Sequence, residues 1–191
     1  MEYSLVRSKR KTIGMELRPD GTLLVRAPIR MSKAAIDDFI LRHRDWIEAH
    51  RKRAEQRKEA AEAQGPLTQE ELKALAKHAR TYIPARVRFY APRVGVTFGR
   101  IAIRSQRTRW GSCSSQGNLN FNCLLMLTPP QVIDSVVVHE LCHRKEMNHS
   151  DRFYAEVLRV FPEYRKWEKW LKTNGPVLLR RMEAGAKPEE E

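Results

Sequence analysis

Apolar and polar residues partly alternate over the first part of the chain, in the segments YSLVRSKR and TIGMELRP. The segment TLLVRAP follows Pro19-Asp20-Gly21, a combination that favours a turn between two strands. We therefore predict strands over residues 3–28. After Ser32, a suitable N-cap, apolar residues recur at helical spacing and predict a helix. Its apolar positions are Ile36, Phe39, Ile40, Trp46 and Ile47.

A highly charged segment, Glu48 to Gln64, follows this helix. It contains no large apolar residue, which is typical of a solvated helix or of a linker without a core of its own. Gly65-Pro66 then interrupts the pattern. We place a boundary here. Residues 1–64 are predicted to form an N-terminal unit of strands, helix and charged linker, residues 65–180 a larger domain, and residues 181–191 a flexible tail.

The larger domain begins with the sequence of a capping box, Thr68-Gln69-Glu70-Glu71, which predicts the start of a helix. Pro84 ends this helix, kinks it or starts a continuation. Two strands are predicted next, over Gly99 to Arg107 and Asn118 to Leu125, with Ser114 to Gly117 as the turn between them. Three further helices start near Pro129-Pro130, at Ser150 and after Pro162, and the last ends at Asn174-Gly175. We therefore predict an α+β fold.

The sequence His139-Glu140-Leu141-Cys142-His143 lies on the helix that starts near Pro130. Residues four apart share one face of a helix, so both imidazoles can reach one metal ion. Zinc lowers the pKa of a bound water to about 7, and Glu140 can accept the proton of that water without binding the metal. His149 can return to the same ion if the chain turns at Met147-Asn148, since Asn tolerates left-handed backbone angles. Three protein ligands and one open position are typical of catalytic zinc.

The residues around this motif resemble a known family. The segments RWGSCSSQGNLNFN and VIDSVVVHELCHRKEMNHSDRFY are similar to the YgjP-like branch of the SprT-related zincin metallopeptidases, and the similarity is good over about residues 66 to 175. The resemblance implies a zincin-like catalytic domain, with a short sheet beside the HExxH helix, and a small N-terminal β/α unit. It also implies zinc at His139, His143 and His149, with Glu140 as the catalytic base.

Four further residues are candidates for substrate binding. In zincins the strand before the active-site helix commonly forms the upper rim of the cleft, and its free edge pairs with an extended substrate. We expect Asn118 to Leu125 to be this strand, with Asn120 and Asn122 on one face. Arg109 can bind an oxyanion or an acidic group of the substrate, with Ser112 nearby.

Neighbouring residues have other candidate roles. Trp110 and Gly111 are expected to be structural, the first by packing and the second by permitting a tight turn. Glu156 is an alternative third metal ligand, because related zincins use a glutamate from the following helix. Tyr154 can stabilise an oxyanion or simply pack, and Cys142 is expected to be a small buried residue.

The composition indicates a class of binding partner and a cellular location. The 36 Lys+Arg exceed the 23 Asp+Glu and give a formal net charge of +13, so a polyanion such as nucleic acid or a nucleotide is a candidate partner. No apolar stretch approaches the roughly 18 to 20 residues that span a membrane, and the N-terminus lacks an apolar signal segment. Three cysteines without CxxC spacing favour a reducing, cytoplasmic location over a disulfide framework.

Three functions fit these features. The first is a zinc-dependent metallopeptidase that acts on a peptide or protein substrate. The second is hydrolysis of a phosphoanhydride, because the same activated water can attack a phosphoryl group and the basic surface attracts nucleotides. The third is a nucleic-acid-associated module with structural zinc, against which the open coordination position argues. We predict the first.

Overall fold

The computed structural model describes residues 2–18 and 21–185. The chain forms two compact units, the first ending at Ala60 and the second beginning at Ala61. This boundary lies slightly before the expected one, within the helix Arg44–Gln64. Each unit contains both strands and helices, so the predicted α+β class is confirmed. Among the described helices, none is long and apolar enough to cross a membrane.

The first unit is built on a three-stranded sheet. In chain order it contains β1 (Tyr3–Ser8), β2 (Gly14–Leu17), β3 (Leu23–Pro28), α1 (Lys33–Arg42) and most of α2 (Arg44–Gln64). β3 lies in the middle, parallel to β1 and antiparallel to β2. The Ser32 hydroxyl accepts a hydrogen bond from the backbone N–H of Ala35, which confirms the predicted N-cap. Two residues of the predicted turn, Pro19 and Asp20, lie outside the described residues. The core consists of Leu23, Val25, Ala27, Ile36, Ile40 and Ile47.

The second unit combines long helices with a second short sheet. Its elements are α3 (Gln69–Val94), β4 (Ile101–Arg104), β5 (Gly111–Cys113), β6 (Leu119–Asn122), a 3-10 helix (Cys123–Leu127), α4 (Pro130–Cys142), α5 (Asp151–Val160) and α6 (Tyr164–Ala184). The capping box is present: the Thr68 hydroxyl accepts a hydrogen bond from the N–H of Glu71, whose carboxylate accepts one from the N–H of Thr68. α3 continues through Pro84, one of the outcomes expected there.

The sheet of the second unit differs from the prediction in its strand order. The order is β4-β6-β5, with β6 parallel to β4 and antiparallel to β5. The expectation that Asn118 to Leu125 offers a free edge is therefore wrong, because β6 is hydrogen-bonded on both sides. The segment also leaves the sheet at Asn122, whose side-chain oxygen accepts a hydrogen bond from the N–H of Leu124 and caps the 3-10 helix. The predicted turn over Ser114 to Gly117 joins β5 to β6.

α4 is buried along most of its length, which places the carboxylate of Asp134 inside the second unit. Arg86 of α3 donates two hydrogen bonds to this carboxylate, at 2.6 and 2.8 Å, and the Tyr90 hydroxyl donates a third at 3.1 Å. A buried carboxylate needs such partners because it has lost its hydration. This cluster therefore fixes α4 against α3. Cys142, at the end of α4, is completely buried, as expected for a small apolar residue.

The last helix extends further than predicted. The pattern placed its end at Asn174-Gly175 and a tail over residues 181–191, but α6 runs on to Ala184. Gly175 is buried inside the helix, and a Cβ atom there would lie 2.8 Å from a carbon of the Trp110 ring. The glycine therefore permits close packing and does not terminate the helix. The end of the expected tail, from residue 186 onwards, lies outside the described residues.

Asp134→Asn should lower the free energy of unfolding by about 2 kcal/mol, because the amide leaves the Arg86 guanidinium without its charged partner. Glu163→Gln is the matched control, since Glu163 forms an exposed ion pair with Lys166 whose loss should cost about 0.5 kcal/mol or less. Urea unfolding followed by circular dichroism measures both variants. Equal effects of the two substitutions would show that the Asp134 cluster does not stabilise the fold.

Candidate metal centre and active site

Three histidine side chains converge at the end of α4. His139 and His143 lie one helical turn apart, and their Nε2 atoms are 3.1 Å from each other. His149 follows the helix, and its Nε2 lies 3.0 Å from that of His139. The ligand atoms of all three lie within 4.8 Å of one another. In the described part of the chain, no other group of three or more His, Cys, Asp or Glu residues converges in this way.

The chain reverses directly after α4 and returns His149 to the other two rings. It turns because the backbone N–H groups of Lys145 and Glu146 both donate to the carbonyl oxygen of Cys142, at 2.9 and 3.0 Å. The backbone conformation of this turn differs from the expected one. Asn148 does not have the left-handed conformation predicted for it, since no described residue other than glycine has a positive φ.

The second nitrogen of each of the first two rings also has a partner. His143 Nδ1 lies 3.0 Å from the backbone carbonyl oxygen of Glu146. A carbonyl can only accept, so Nδ1 carries the proton and Nε2 presents a lone pair. His139 Nδ1 lies 2.8 Å from the hydroxyl of Tyr164, the first residue of α6. Partners of this kind orient metal-binding imidazoles.

The protonation of His139 and His143 and the spacing of the three rings fit zinc. Burial lowers the pKa of His139 to about 3, and the charges of His143 and His149 act in the same direction. Burial also lowers the pKa of His143, against the effect of its hydrogen bond to Glu146. The His139 and His143 rings are therefore neutral near pH 7 and can bind a cation. Zn–N distances of about 2.0–2.1 Å place neighbouring nitrogens of a tetrahedral site about 3.3 Å apart, close to the separations of His139 Nε2 from His143 Nε2 and His149 Nε2, 3.1 and 3.0 Å.

Glu140 lines the same cavity as His139 and is only 5% exposed. Burial raises the pKa of its carboxyl to about 8, and the positive charge of Arg109 opposes this shift. Gly111, the first residue of β5, makes room for the side chain, because a Cβ atom on it would lie 2.5 Å from Glu140 Oε1. The interpretation of Gly111 as a turn residue is therefore wrong: it lies in a strand, without a positive φ, and its missing side chain accommodates Glu140.

A cavity of about 260 Å³ opens beside His139 and Glu140. α4, α6 and the segment before β5 form its walls, and Trp110, Val136 and Leu171 give them apolar character. Its charged lining residues are Arg109, Glu140 and Glu168. Glu168 is paired with Lys172 at 2.8 Å and with Arg165 at 3.4 Å. The site therefore combines three metal-binding groups and a buried carboxyl with a mainly apolar cavity.

A model of the YgjP-like family, metallopeptidase domain, matches residues 11–73 and 67–174 of the chain. The chain belongs to the YgjP-like metallopeptidase family. It is therefore a metal-dependent hydrolase of the peptidase class, and this class implies a peptide or protein substrate. The match to the family model confirms the resemblance seen in the sequence. The predicted cofactor, zinc, agrees with this family and with the three-histidine group.

Two solved structures are similar to this YgjP-like protein. The metallopeptidase zymogen abylysin of Pyrococcus abyssi is 22% identical, with a TM-score of 0.44, over 48% of this chain and 92% of abylysin. The metallopeptidase zymogen jannalysin of Methanocaldococcus jannaschii is 21% identical, with a TM-score of 0.42, over 47% of this chain and 93% of jannalysin. A comparison with curated proteins gives no significant match.

The four residues expected to bind substrate in the YgjP-like protein have different surroundings. Arg109 is exposed and lines the cavity. Ser112 and Asn120 face each other across β5 and β6, and the Asn120 amide donates to Ser112 Oγ at 3.1 Å. Asn122 is completely buried, and its amide donates to the carbonyl oxygens of Gln106 and Arg109 at 2.7 and 3.0 Å. Contact of Asn122 with substrate does not fit this burial, and the side chain instead holds the loop before β5.

The prediction of Glu156 as an alternative metal ligand is wrong, because its carboxylate forms ion pairs with two cationic side chains. It accepts hydrogen bonds from Arg159 at 2.6 and 3.0 Å and from Lys145 at 2.6 Å. These bonds lower the pKa of Glu156 to about 2. Tyr154, the candidate for stabilising an oxyanion, packs under the guanidinium of Arg165, which lies 3.9 Å from the centre of its ring.

Two residues of the site were missed by the sequence reasoning. Tyr164 was not named among the candidate site residues, yet its hydroxyl lies 2.8 Å from His139 Nδ1. Phe153 packs against all three imidazoles, with ring centres 4.6 to 4.9 Å apart. Helical spacing of aromatic residues indicates that they are buried, but it does not indicate which side chains they contact. No signal in the sequence could therefore have assigned these two contacts.

Gly111→Ala should lower peptide hydrolysis by about 10- to 100-fold without loss of zinc, because the new methyl group displaces the Glu140 carboxylate and leaves the histidines in place. Gly99→Ala is the control: a Cβ atom there would lie 2.6 Å from Asn118 Oδ1, a similar collision that does not involve Glu140. Peptide kinetics and zinc content are measured for both variants. Full activity of Gly111→Ala would contradict the role given to this glycine.

Glu156→Gln should destabilise the protein at neutral pH and less in acid. The folded-state pKa of about 2 lies below the ordinary value of 4.5, so the ionised carboxylate stabilises fully above pH 4.5 and progressively less as the pH falls towards 2. Urea unfolding of metal-free wild type and variant should therefore differ by a constant free energy from pH 7 to pH 5, and the difference should shrink in stronger acid. A difference independent of pH would contradict the ion pairing.

Proposed function

We propose that the chain hydrolyses peptide bonds at a zinc ion held by His139, His143 and His149, with Glu140 as the general base. The observation that carries this proposal is the convergence of three Nε2 atoms next to a buried carboxyl at the wall of a cavity. Three protein ligands leave one position of a tetrahedral ion open, which is typical of catalytic zinc and not of structural zinc. This favours an enzyme over a nucleic-acid-associated module.

Glu140 is the group that moves the proton. Bound zinc lowers the pKa of water to about 7 and polarises a carbonyl oxygen. The Glu140 carboxylate accepts a proton from water as the water oxygen attacks the peptide carbonyl carbon, and it then donates that proton to the leaving nitrogen. The pKa of about 8 that burial gives Glu140 falls when a dication lies beside it, because an opposite charge favours the carboxylate. With zinc bound, Glu140 would therefore be ionised near pH 7 and could act as the base.

The free edge of β5 is the place where we expect an extended peptide to bind. β5 is an outer strand of the sheet and pairs with β6 on one side. It also runs directly past Glu140, against which Gly111 lies. A peptide that binds as an additional strand forms backbone hydrogen bonds whatever its sequence. At the edge of β5, such a peptide brings its carbonyl groups close to Glu140. This assignment replaces the one made for Asn118 to Leu125.

The cavity suits one amino-acid side chain better than a nucleotide. Its volume of about 260 Å³ is below the roughly 300–1,000 Å³ of most small-molecule sites. Arg109 is the one basic side chain among its described lining residues, whereas a polyphosphate normally meets several cationic donors. A peptide substrate is therefore favoured over a phosphoanhydride. The polyanion partner and the cytoplasmic location remain predictions that rest on composition.

Glu140→Gln should lower hydrolysis by at least about 1,000-fold and retain stoichiometric zinc, because an amide cannot accept the proton while the three ligands are unchanged. Glu183→Gln makes the same substitution at an exposed position near the end of α6 and should leave activity unchanged. Casein digestion and a phosphate-release assay with nucleotides are run on all three proteins beside metal analysis.

Normal casein digestion by Glu140→Gln would exclude Glu140 as the base. Phosphate release by the wild type, without digestion of casein, would overturn the peptide assignment in favour of phosphoanhydride hydrolysis.

A further inference from the structure

Tyr164 has a buried hydroxyl group directed at the metal site. The residue is 4% exposed, and its oxygen lies 2.8 Å from His139 Nδ1. A buried phenol hydroxyl needs a hydrogen-bond partner, and otherwise phenylalanine fills the same space without the desolvation cost. The hydrogen bond to His139 therefore gives a reason for tyrosine at this position.

The position of this hydroxyl follows from the junction between α5 and α6. The backbone N–H of Tyr164 donates to the carbonyl oxygen of Phe161 at 3.0 Å, which places Tyr164 in the first turn of α6. Its ring lies nearly parallel to that of His139, at an angle of 20° and with 6.0 Å between ring centres. α6 packs against α4, so the hydroxyl is held by a helix other than the one that carries His139.

We propose that Tyr164 is a positioning residue for the metal site, whose hydroxyl oxygen accepts a hydrogen bond from Nδ1–H of His139 and so directs Nε2 at the metal. This inference rests on the proposed function, because it takes Nε2 of His139 as a zinc ligand. A neutral imidazole that binds zinc through Nε2 carries its proton on Nδ1, and this N–H requires an acceptor. The phenol oxygen is the acceptor that the fold supplies.

His139 and His143 differ in the part of the chain that supplies the hydrogen-bond acceptor for Nδ1. His143 uses the backbone carbonyl of Glu146, which belongs to the turn that follows α4. His139 uses a side chain from a helix that starts 25 residues later. The orientation of His139 therefore depends on the docking of α6, whereas that of His143 is set locally. A single substitution can remove the acceptor of His139 without changing the backbone.

Tyr164→Phe should raise the zinc dissociation constant by about 10- to 100-fold, the usual effect of removing such a partner. The constant is measured by competition with a chromophoric chelator, and circular dichroism of the metal-free proteins checks the fold. Tyr90→Phe is the matched control, because it also removes a buried hydroxyl, one bonded to Asp134 at 3.1 Å. This variant should lose stability and keep the zinc affinity of the wild type.

The outcomes separate the inference from the function on which it rests. Wild-type protein that binds no zinc would overturn the proposed function. Tight binding by the wild type, with a change of less than about threefold in Tyr164→Phe, would overturn the positioning role alone.

A measurement on the zinc-loaded wild type tests the same hydrogen bond without any substitution. Its NMR spectrum should show a slowly exchanging Nδ1 proton on His139. The absence of a proton on this nitrogen would overturn the inference.

Discussion

Three imidazole Nε2 atoms converge at 3.0 and 3.1 Å, and lone pairs on all three would repel one another without a cation among them; the second unit is organised around this constraint. His139 and His143 cannot move apart, because α4 is buried on most sides and its Asp134 is bonded to Arg86. His149 is returned by a turn that is hydrogen-bonded to the end of the same helix. A bound cation would convert this repulsion into attraction, so metal binding and the folded state would stabilise each other.

Two glutamates near the site show how the environment divides one residue type between two functions. Glu140 is enclosed by protein, and burial raises its pKa to about 8, which is consistent with the proton exchange proposed for it. Glu156 lies between Arg159 and Lys145, and its pKa falls to about 2, as suits a permanent anion that ties the turn to α5. The two pKa values differ because the neighbours differ. Gly111 leaves room for the Glu140 carboxyl without supplying a charge, whereas Arg159 and Lys145 neutralise the Glu156 carboxylate.

The sequence by itself determined the features that have local causes. The spacing of His139 and His143 places both rings on one face, because a helix repeats every 3.6 residues whatever surrounds it. The caps at Ser32 and Thr68 were predictable for the same reason, since each involves a side chain and a backbone group three residues away. The α+β class and the family also followed, because both depend on patterns that can be read in order along the chain.

Only the tertiary structure decided which distant groups meet. The order of β4, β5 and β6 depends on pairing between segments, and it moved the free edge from the predicted strand to β5. Gly175 has the sequence of a helix end, but the Trp110 ring packs against it and the helix continues. Asn122 was expected to bind substrate and is completely buried. Tyr164 reaches His139 from another helix. In each case the deciding partner lies far away in the sequence, where periodicity and capping carry no information.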